Sequence, residues 1–229
     1  MTSTLADVMS RAKALLLDFD GPVCSLFATY SAPAVAERLR QVAAAQGFNA
    51  TANEPLALLR EVDEVGDAVL SRVVAQAVRD AEIEAAAGAT PTPGIEELLH
   101  AARAGQLRIA IVSNNATEAV TAYLKRARLN EHVDLVVGRY ENMPAQLLKP
   151  NPHLLNLALD HLSIAADVAV FVGDSVTDVK AGHATGVQTI GFANKPGKRE
   201  RLNAAGAVTV IDRLAALTDA SIPGISRLK

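Results

Sequence analysis

Three short apolar-rich runs each end at a group of polar residues, and that recurrence constrains the fold more than any other feature. Ala14-Leu15-Leu16-Leu17 stops at Asp18-Phe19-Asp20-Gly21-Pro22. Residues 107–112 run into Ser113-Asn114, and residues 168–172 run into Gly173-Asp174-Ser175. A short apolar run closed by a turn signal reads as a buried strand followed by a loop. Helix-period segments lie between the runs, at 95–104, 117–128, 152–162 and 176–185, the last with Gly186 as its C-terminal cap. Shorter strands are expected at 134–137, 187–190 and 208–211. Strands alternating with helices imply a parallel sheet covered on both faces. The expected class is α/β, with a Rossmann-like doubly wound parallel sheet as its core.

One stretch breaks the alternation. From about residue 27 to 87 the chain is Ala-rich and helix-periodic, with little strand character. Residues 88–94, Gly-Ala-Thr-Pro-Thr-Pro-Gly, then read as a linker. The expected organisation is a core domain of residues 1–24 and 88–229, interrupted by an all-helical domain of residues 25–87.

Composition narrows the function. The chain has 229 residues, 50% hydrophobic, which suffices for a large buried core and argues against disorder. A net charge of −3 gives no basic footprint, and 3% aromatics give no base-stacking platform, so a nucleic-acid partner is not expected. Cys24, the single cysteine, rules out an internal disulfide and a cysteine-rich metal site. Apolar runs are too short for a membrane span, and residues 1–13 carry no export signal. A cytoplasmic monomer or homodimer is expected.

Ligands of open parallel sheets bind beyond the C-terminal strand ends. Asp18 and Asp20 follow the first strand, Ser113 and Asn114 the second, and Asp174 and Asp178 the strand at 168–172. Lys149 and Pro150 lie in a loop before a helix. Each group alone has a plain structural reading: Asp-X-Asp as a turn, Ser113-Asn114 or Asp174-Ser175 as a helix N-cap, Lys149 as a solvated lysine. Together they bring several carboxylates, one lysine and a hydroxyl–amide pair to one crevice. Carboxylates so clustered repel one another, and a hard divalent cation relieves that. An all-oxygen donor set suits Mg2+, which commonly binds substrate phosphate. Lys149, Ser113 and Asn114 would hold the remaining phosphoryl oxygens. Asp18 and Asp20 allow a carboxylate nucleophile beside a general acid/base.

These four groups, Asp18-Phe19-Asp20-Gly21-Pro22-Val23, Ile111-Val112-Ser113-Asn114, Lys149-Pro150 and Gly173-Asp174-Ser175-Val176-Thr177-Asp178, resemble the motifs of the haloacid-dehalogenase-like hydrolase superfamily, in its order. The 25–87 insertion resembles that family's small helical cap. The resemblance implies a phosphatase acting on a small phosphorylated metabolite. Asp18 would form an aspartyl-phosphate. Asp20 would protonate the leaving alcohol, activate water and offer Mg2+ its backbone carbonyl. Ser113, Asn114 and Lys149 would bind phosphate, Asp174 would ligate the metal and Asp178 would support it. A phosphomutase of the β-phosphoglucomutase type, using the same site, is the alternative. Dehalogenation is disfavoured because Asp20 is retained and a halide needs no proton. Pro22 departs from the Thr or Val common in the family. A phospho-receiver switch places its parts in another order, and no G-x-S-x-G elbow supports a serine esterase.

Cys24, Ser25, Phe27, Tyr30 and Arg60 are expected substrate contacts, because they adjoin the first motif or lie in the insertion. The acidic stretch Glu61-Val62-Asp63-Glu64 and the basic cluster Lys195, Lys198, Arg199 and Arg201 read most simply as solvated surfaces.

Overall fold

The computed structural model describes residues 4–29 and 31–220. Helix α1 (Leu5–Arg11) opens on a capping box in which Thr4 and Asp7 exchange hydrogen bonds. Strand β1 (Ala14–Leu17) follows, then the two-residue strand β2 (Cys24–Ser25). The insertion consists of α2 (Ala32–Ala45), α3 (Pro55–Val65) and α4 (Ala68–Gly88), and the chain returns through β3 (Thr90–Pro91). The remainder alternates: α5 (Ile95–Ala104), β4 (Arg108–Ala116), α6 (Thr117–Arg126), β5 (Leu135–Arg139), α7 (His153–Leu162), β6 (Ala169–Gly173), α8 (Val176–Thr185), β7 (Gln188–Phe192), α9 (Lys198–Ala204), β8 (Thr209–Ile211) and α10 (Ala215–Asp219). Gly186 caps α8 in the left-handed conformation, as expected.

The six long strands form one parallel sheet in the order β5-β4-β1-β6-β7-β8. The chain moves outward from β1 through β4 and β5, then reverses and lays β6, β7 and β8 on the other side. The first motif, at the end of β1, and the Asp174 motif, at the end of β6, therefore flank the topological switch point, where doubly wound sheets open a crevice.

Period-two alternation divides the apolar side chains between two cores. Leu15, Leu17, Ile109, Ile111, Val170 and Val172 face one cluster. Ala14, Leu16, Ala110, Val112, Ala169 and Phe171 face the other. Both faces are covered, so the runs show no polar alternation. The second cluster continues into the insertion through Val35, Leu39, Leu58, Val62, Val74 and Val78. Burying one such Val or Leu is worth roughly 1.5–3 kcal/mol, which fastens the three helices to the sheet.

Two expectations are corrected. Residues 90–91 are not a free linker: they form a strand antiparallel to β2, pairing Cys24 with Pro91 and Ser25 with Thr90. Two-residue strands carry no periodic signal, so pattern reading cannot find them. Ser113 and Asn114 do not follow a finished strand. β4 continues to Ala116, with a register shift against β5 between Val112 and Ala116. A bulge of this kind re-aims side chains without ending a strand. Helix α6 starts with Ala116 at its N-cap and no side-chain cap bond, so Ser113-Asn114 does not serve as its cap.

Candidate active site

The strand ends and the insertion enclose a cavity of about 760 Å³. Asp18, Asp20, Ser113, Asn114, Lys149, Asp174 and Asp178 line it from the sheet side; Ser25, Phe27, Leu56, Arg60 and Glu82 line it from the insertion. All four motifs thus converge on one space.

Lys149 is its centre. The side chain is almost fully buried, and its ammonium lies 2.8 Å from Asp18 Oδ1 and 2.6 Å from Asp178 Oδ1. It also donates to the carbonyl of Val112 at 3.0 Å. Three partners match the three donors of an ammonium. The lysine backbone is fixed too. Its N–H donates to Asn114 Oδ1 at 2.8 Å, and its carbonyl accepts from Asn114 Nδ2 at 3.2 Å and from Arg60 at 2.9 Å. Asn114 therefore clamps the lysine loop onto β4, and Arg60 adds a clasp from α3.

Asp178 serves two structures with two oxygens. Oδ2 accepts from the Ser175 N–H and hydroxyl, completing the capping box of α8, and Oδ1 faces Lys149. The same carboxylate thus caps α8 and lies at the cavity beside Lys149. Asp174 Oδ2 accepts from Lys198 and, at 3.2 Å, from Asn194. Asp20 Oδ1 accepts from the Leu26 N–H at 2.9 Å, so the first residues of the insertion hold it in place. Gly21 closes this loop with φ +114°, and a Cβ there would stand 2.4 Å from Asp174 Cγ. Only glycine supplies both that conformation and that space.

Acid outnumbers base here, and burial makes the excess costly. Burial pushes the Asp18 carboxyl up to about 7, with the Asp178 charge adding and Lys149 opposing. Burial also raises Asp20 and Asp174. For Lys149, burial favours the neutral amine, but Asp178 and Asp18 outweigh it and raise the ammonium's pKa.

The donor set fits a hard divalent cation. Asp18, Asp174 and Asp178 bring one carboxylate oxygen each within 4.8 Å of one another. Asp178 is already engaged by Lys149 and Ser175, which leaves Asp18 and Asp174 as the freer pair. The Asp20 carboxylate lies outside this group, so only its backbone carbonyl remains for a metal.

The expected substrate contacts divide. Ser25, Phe27 and Arg60 line the cavity. Cys24 does not: it is fully buried in the sheet core, where burial pushes its thiol well above the usual range. Alternation along β2 explains this, with Cys24 turned inward and its neighbour Ser25 exposed. Tyr30 lies outside the described residues. The acidic stretch is not merely solvated. Glu61 accepts from the backbone of Thr51 and Ala52, and Asp63 accepts from the Ala145 N–H at 2.7 Å, bridging insertion and core.

Sequence reading took Lys198 for a solvated surface lysine, whereas it pairs with Asp174, and it missed Asn194, Asn115, Glu82 and Arg139. Lys198 follows β7, so the strand-end rule, extended by one strand, reaches it. The pair Glu82 and Arg139 is treated below.

A family model for haloacid dehalogenase-like hydrolases matches residues 26–192. The matched span contains the last three motifs and begins after Asp18 and Asp20. A phosphoglycolate phosphatase of Rhodospirillum rubrum is 32% identical over 161 residues, covering 70% of this chain and 65% of that one. A phosphoglycolate phosphatase of Nitrosospira multiformis is 36% identical over 94 residues, covering 41% of this chain and 40% of that one. The aligned segments thus span less than two thirds of each relative. The crystal structure of a predicted phosphatase from Clostridium acetobutylicum superposes with a TM-score of 0.70 at 18% identity, covering 91% of this chain and 97% of that one. At that identity the likeness speaks for the fold.

Proposed function

The chain belongs to the haloacid dehalogenase-like hydrolase family, and on that premise we propose that it is a magnesium-dependent phosphatase acting on a small phosphate monoester. The observation that carries the reading is Lys149, buried and held between Asp18 and Asp178, with Ser113 and Asn114 at the same cavity wall.

Asp18 is the nucleophile. Its carboxylate attacks phosphorus, the P–O bond to the substrate breaks, and an aspartyl-phosphate forms. Lys149 opposes the burial that favours the neutral acid of Asp18, aims the carboxylate, and neutralises a phosphoryl oxygen. Ser113 turns its hydroxyl from Asn115 Oδ1 to another phosphoryl oxygen, and Asn114 keeps the lysine loop in register. Asp20 gives its proton to the leaving alkoxide; its raised pKa keeps that proton at hand. Asp20 then takes a proton from water, which attacks phosphorus and frees phosphate and Asp18. Two easier displacements replace one difficult one. Asp18, Asp174 and the Asp20 carbonyl, with Asp178 in support, would hold Mg2+, which would supply charge neutralisation at the phosphoryl group.

The insertion closes the cavity and presents Ser25, Phe27 and Arg60 to the rest of the substrate. Relatives bearing the name phosphoglycolate phosphatase make phosphoglycolate the first substrate to test. The decisive measurement is phosphate release from phosphoglycolate and a panel of sugar phosphates, with Mg2+ and with chelator, for the wild type and Asp18→Asn. Asp18→Asn retaining turnover overturns the mechanism. Transfer between sugar hydroxyls without free phosphate identifies the mutase instead. Among the described residues no helix is long and apolar enough to cross a membrane; a cytoplasmic location is part of the proposal.

A further inference from the structure

The site contains a buried ion pair that the chemistry above does not use. Glu82, on α4, is 1% exposed, and Arg139, at the end of β5, is 5% exposed. They meet as a fork, with Arg139 Nη2 2.8 Å from Glu82 Oε2 and Nη1 3.2 Å from Oε1. Each reaches further. Arg139 Nη1 donates to the carbonyl of Asn114 at 2.8 Å. Glu82 Oε1 accepts from Asn115 Nδ2, and Oε2 from the Ala116 N–H, both at 2.9 Å. Asn115 is bonded in turn to Ser113, through Oγ to Oδ1 at 3.1 Å and through its N–H to Oγ at 3.2 Å.

These bonds fall where the register of β4 slips against β5, between Val112 and Ala116. The bulged stretch of β4 that carries Ser113 and Asn114 is therefore held less by its neighbouring strand than by this pair. A stability role alone explains it poorly. Replacing a buried ion pair by apolar side chains of similar volume is often neutral or stabilising, so stability does not require two buried charges here.

We propose that Glu82 and Arg139 are positioning residues for the bulged end of β4 at Ser113–Asn115, fixing it to receive phosphoryl oxygens and making its geometry depend on helix α4 of the insertion. The inference rests on the phosphatase reading for the use of this stretch of β4. The arrangement couples phosphate capture to the insertion that covers the substrate.

The test compares the wild type with Arg139→Lys and the double variant Glu82→Leu/Arg139→Met. Arg139→Lys keeps the charge but replaces the fork by a single point donor. The probe is inorganic phosphate, its affinity measured by calorimetry in Mg2+, alongside KM, kcat and melting temperature. The double variant is expected to fold and to bind phosphate about tenfold more weakly, with KM rising in parallel, as for the loss of one charge-assisted hydrogen bond. Arg139→Lys is expected to lose about threefold and serves alone if the double variant does not fold. A purely structural pair would lower kcat with the folded fraction and leave KM and phosphate affinity unchanged; that result in a folded variant overturns the proposal. Phosphate binding without turnover in the wild type defeats the phosphatase reading while the variants still decide this one. A wild type that binds no phosphate defeats both.

Discussion

The protein buries charge in two adjoining places and treats it in opposite ways. Around Lys149, the carboxylates Asp18, Asp20, Asp174 and Asp178 face three ammonium groups, Lys149 and Lys198 in ion pairs and Lys195 near Asp20, and burial raises the Asp18, Asp20 and Asp174 pKa values. Around Glu82, one carboxylate meets one guanidinium, and both carboxylate oxygens accept two bonds. The first cluster is left in need of cation, and the second is complete. A buried charge that is fully met holds structure in place, whereas one that is under-met is available for chemistry. Similar local physics therefore yields a scaffold in one place and the proposed reaction centre in the other.

The sharpest way to break the contrast is Asp18→Asn, which removes the charge the first cluster exists to expose. Turnover is expected to fall by at least about a thousandfold with little loss of melting temperature. Comparable losses of activity and stability would make the two clusters alike. The complementary change is Glu82→Ala, which strands Arg139. It should cost about 3–5 kcal/mol of stability, read by denaturant unfolding, and far more than the matched apolar double replacement. Gly21→Ala should leave the second cluster intact while its Cβ drives into Asp174. The expected result is a loss of Mg2+ affinity of about tenfold or more by calorimetry, at roughly 1.4 kcal/mol per tenfold.

The smallest effect is a slope. Asp18, Asp20 and Asp174 have raised pKa values, so the metal-free folded state holds more protons than the unfolded chain from about pH 4 to about 7. In chelator, stability should fall as pH rises through that window. Asp7, Glu37 and Glu61 are shifted down and push the other way, but Asp7 and Glu37 are exposed and Glu61 half-exposed, so solvent screens them. Mg2+ binds the ionised form, so it should stabilise more at pH 7.5 than at pH 5 and cancel the slope. Parallel melting curves with and without Mg2+ across pH check this; a metal-free protein that gains stability from pH 5 to 7 contradicts it.

The first cluster was legible in the sequence because a parallel sheet aligns its C-terminal ends. Asp18, Ser113 and Asp174 each sit beside an apolar run, so finding the runs found the residues. Lys149 follows no strand and was reached through its neighbours in the motif pattern. The second cluster has no such beacon. Glu82 and Arg139 are 57 residues apart and join only once α4 is laid along α6 and β4. One trace was present: Val74, Val78, Ala81 and Ala85 form a buried stripe on α4, and Glu82 falls inside it. A charge in an apolar stripe announces a partner without naming it. Cys24 shows the reverse failure. Nearness to the first motif suggested a substrate contact, but alternation along β2 turned it into the core. Which way a side chain points in a two-residue strand cannot be read without its pairing.

That two-residue pairing has a consequence for how such proteins diversify. The insertion leaves at Cys24–Ser25 and returns at Thr90–Pro91, and these strands are hydrogen-bonded side by side. Thr92 ties the same junction back to the backbone of Gly21 and Val23. To the sheet, everything between is a loop whose two ends already touch. The entropy of closing a loop grows only slowly with its length, so replacing one helical segment by a longer or shorter one with matching ends costs the host little. The junction is a socket: the sheet and its strand-end cluster can be inherited unchanged while the helical walls that face them are exchanged whole.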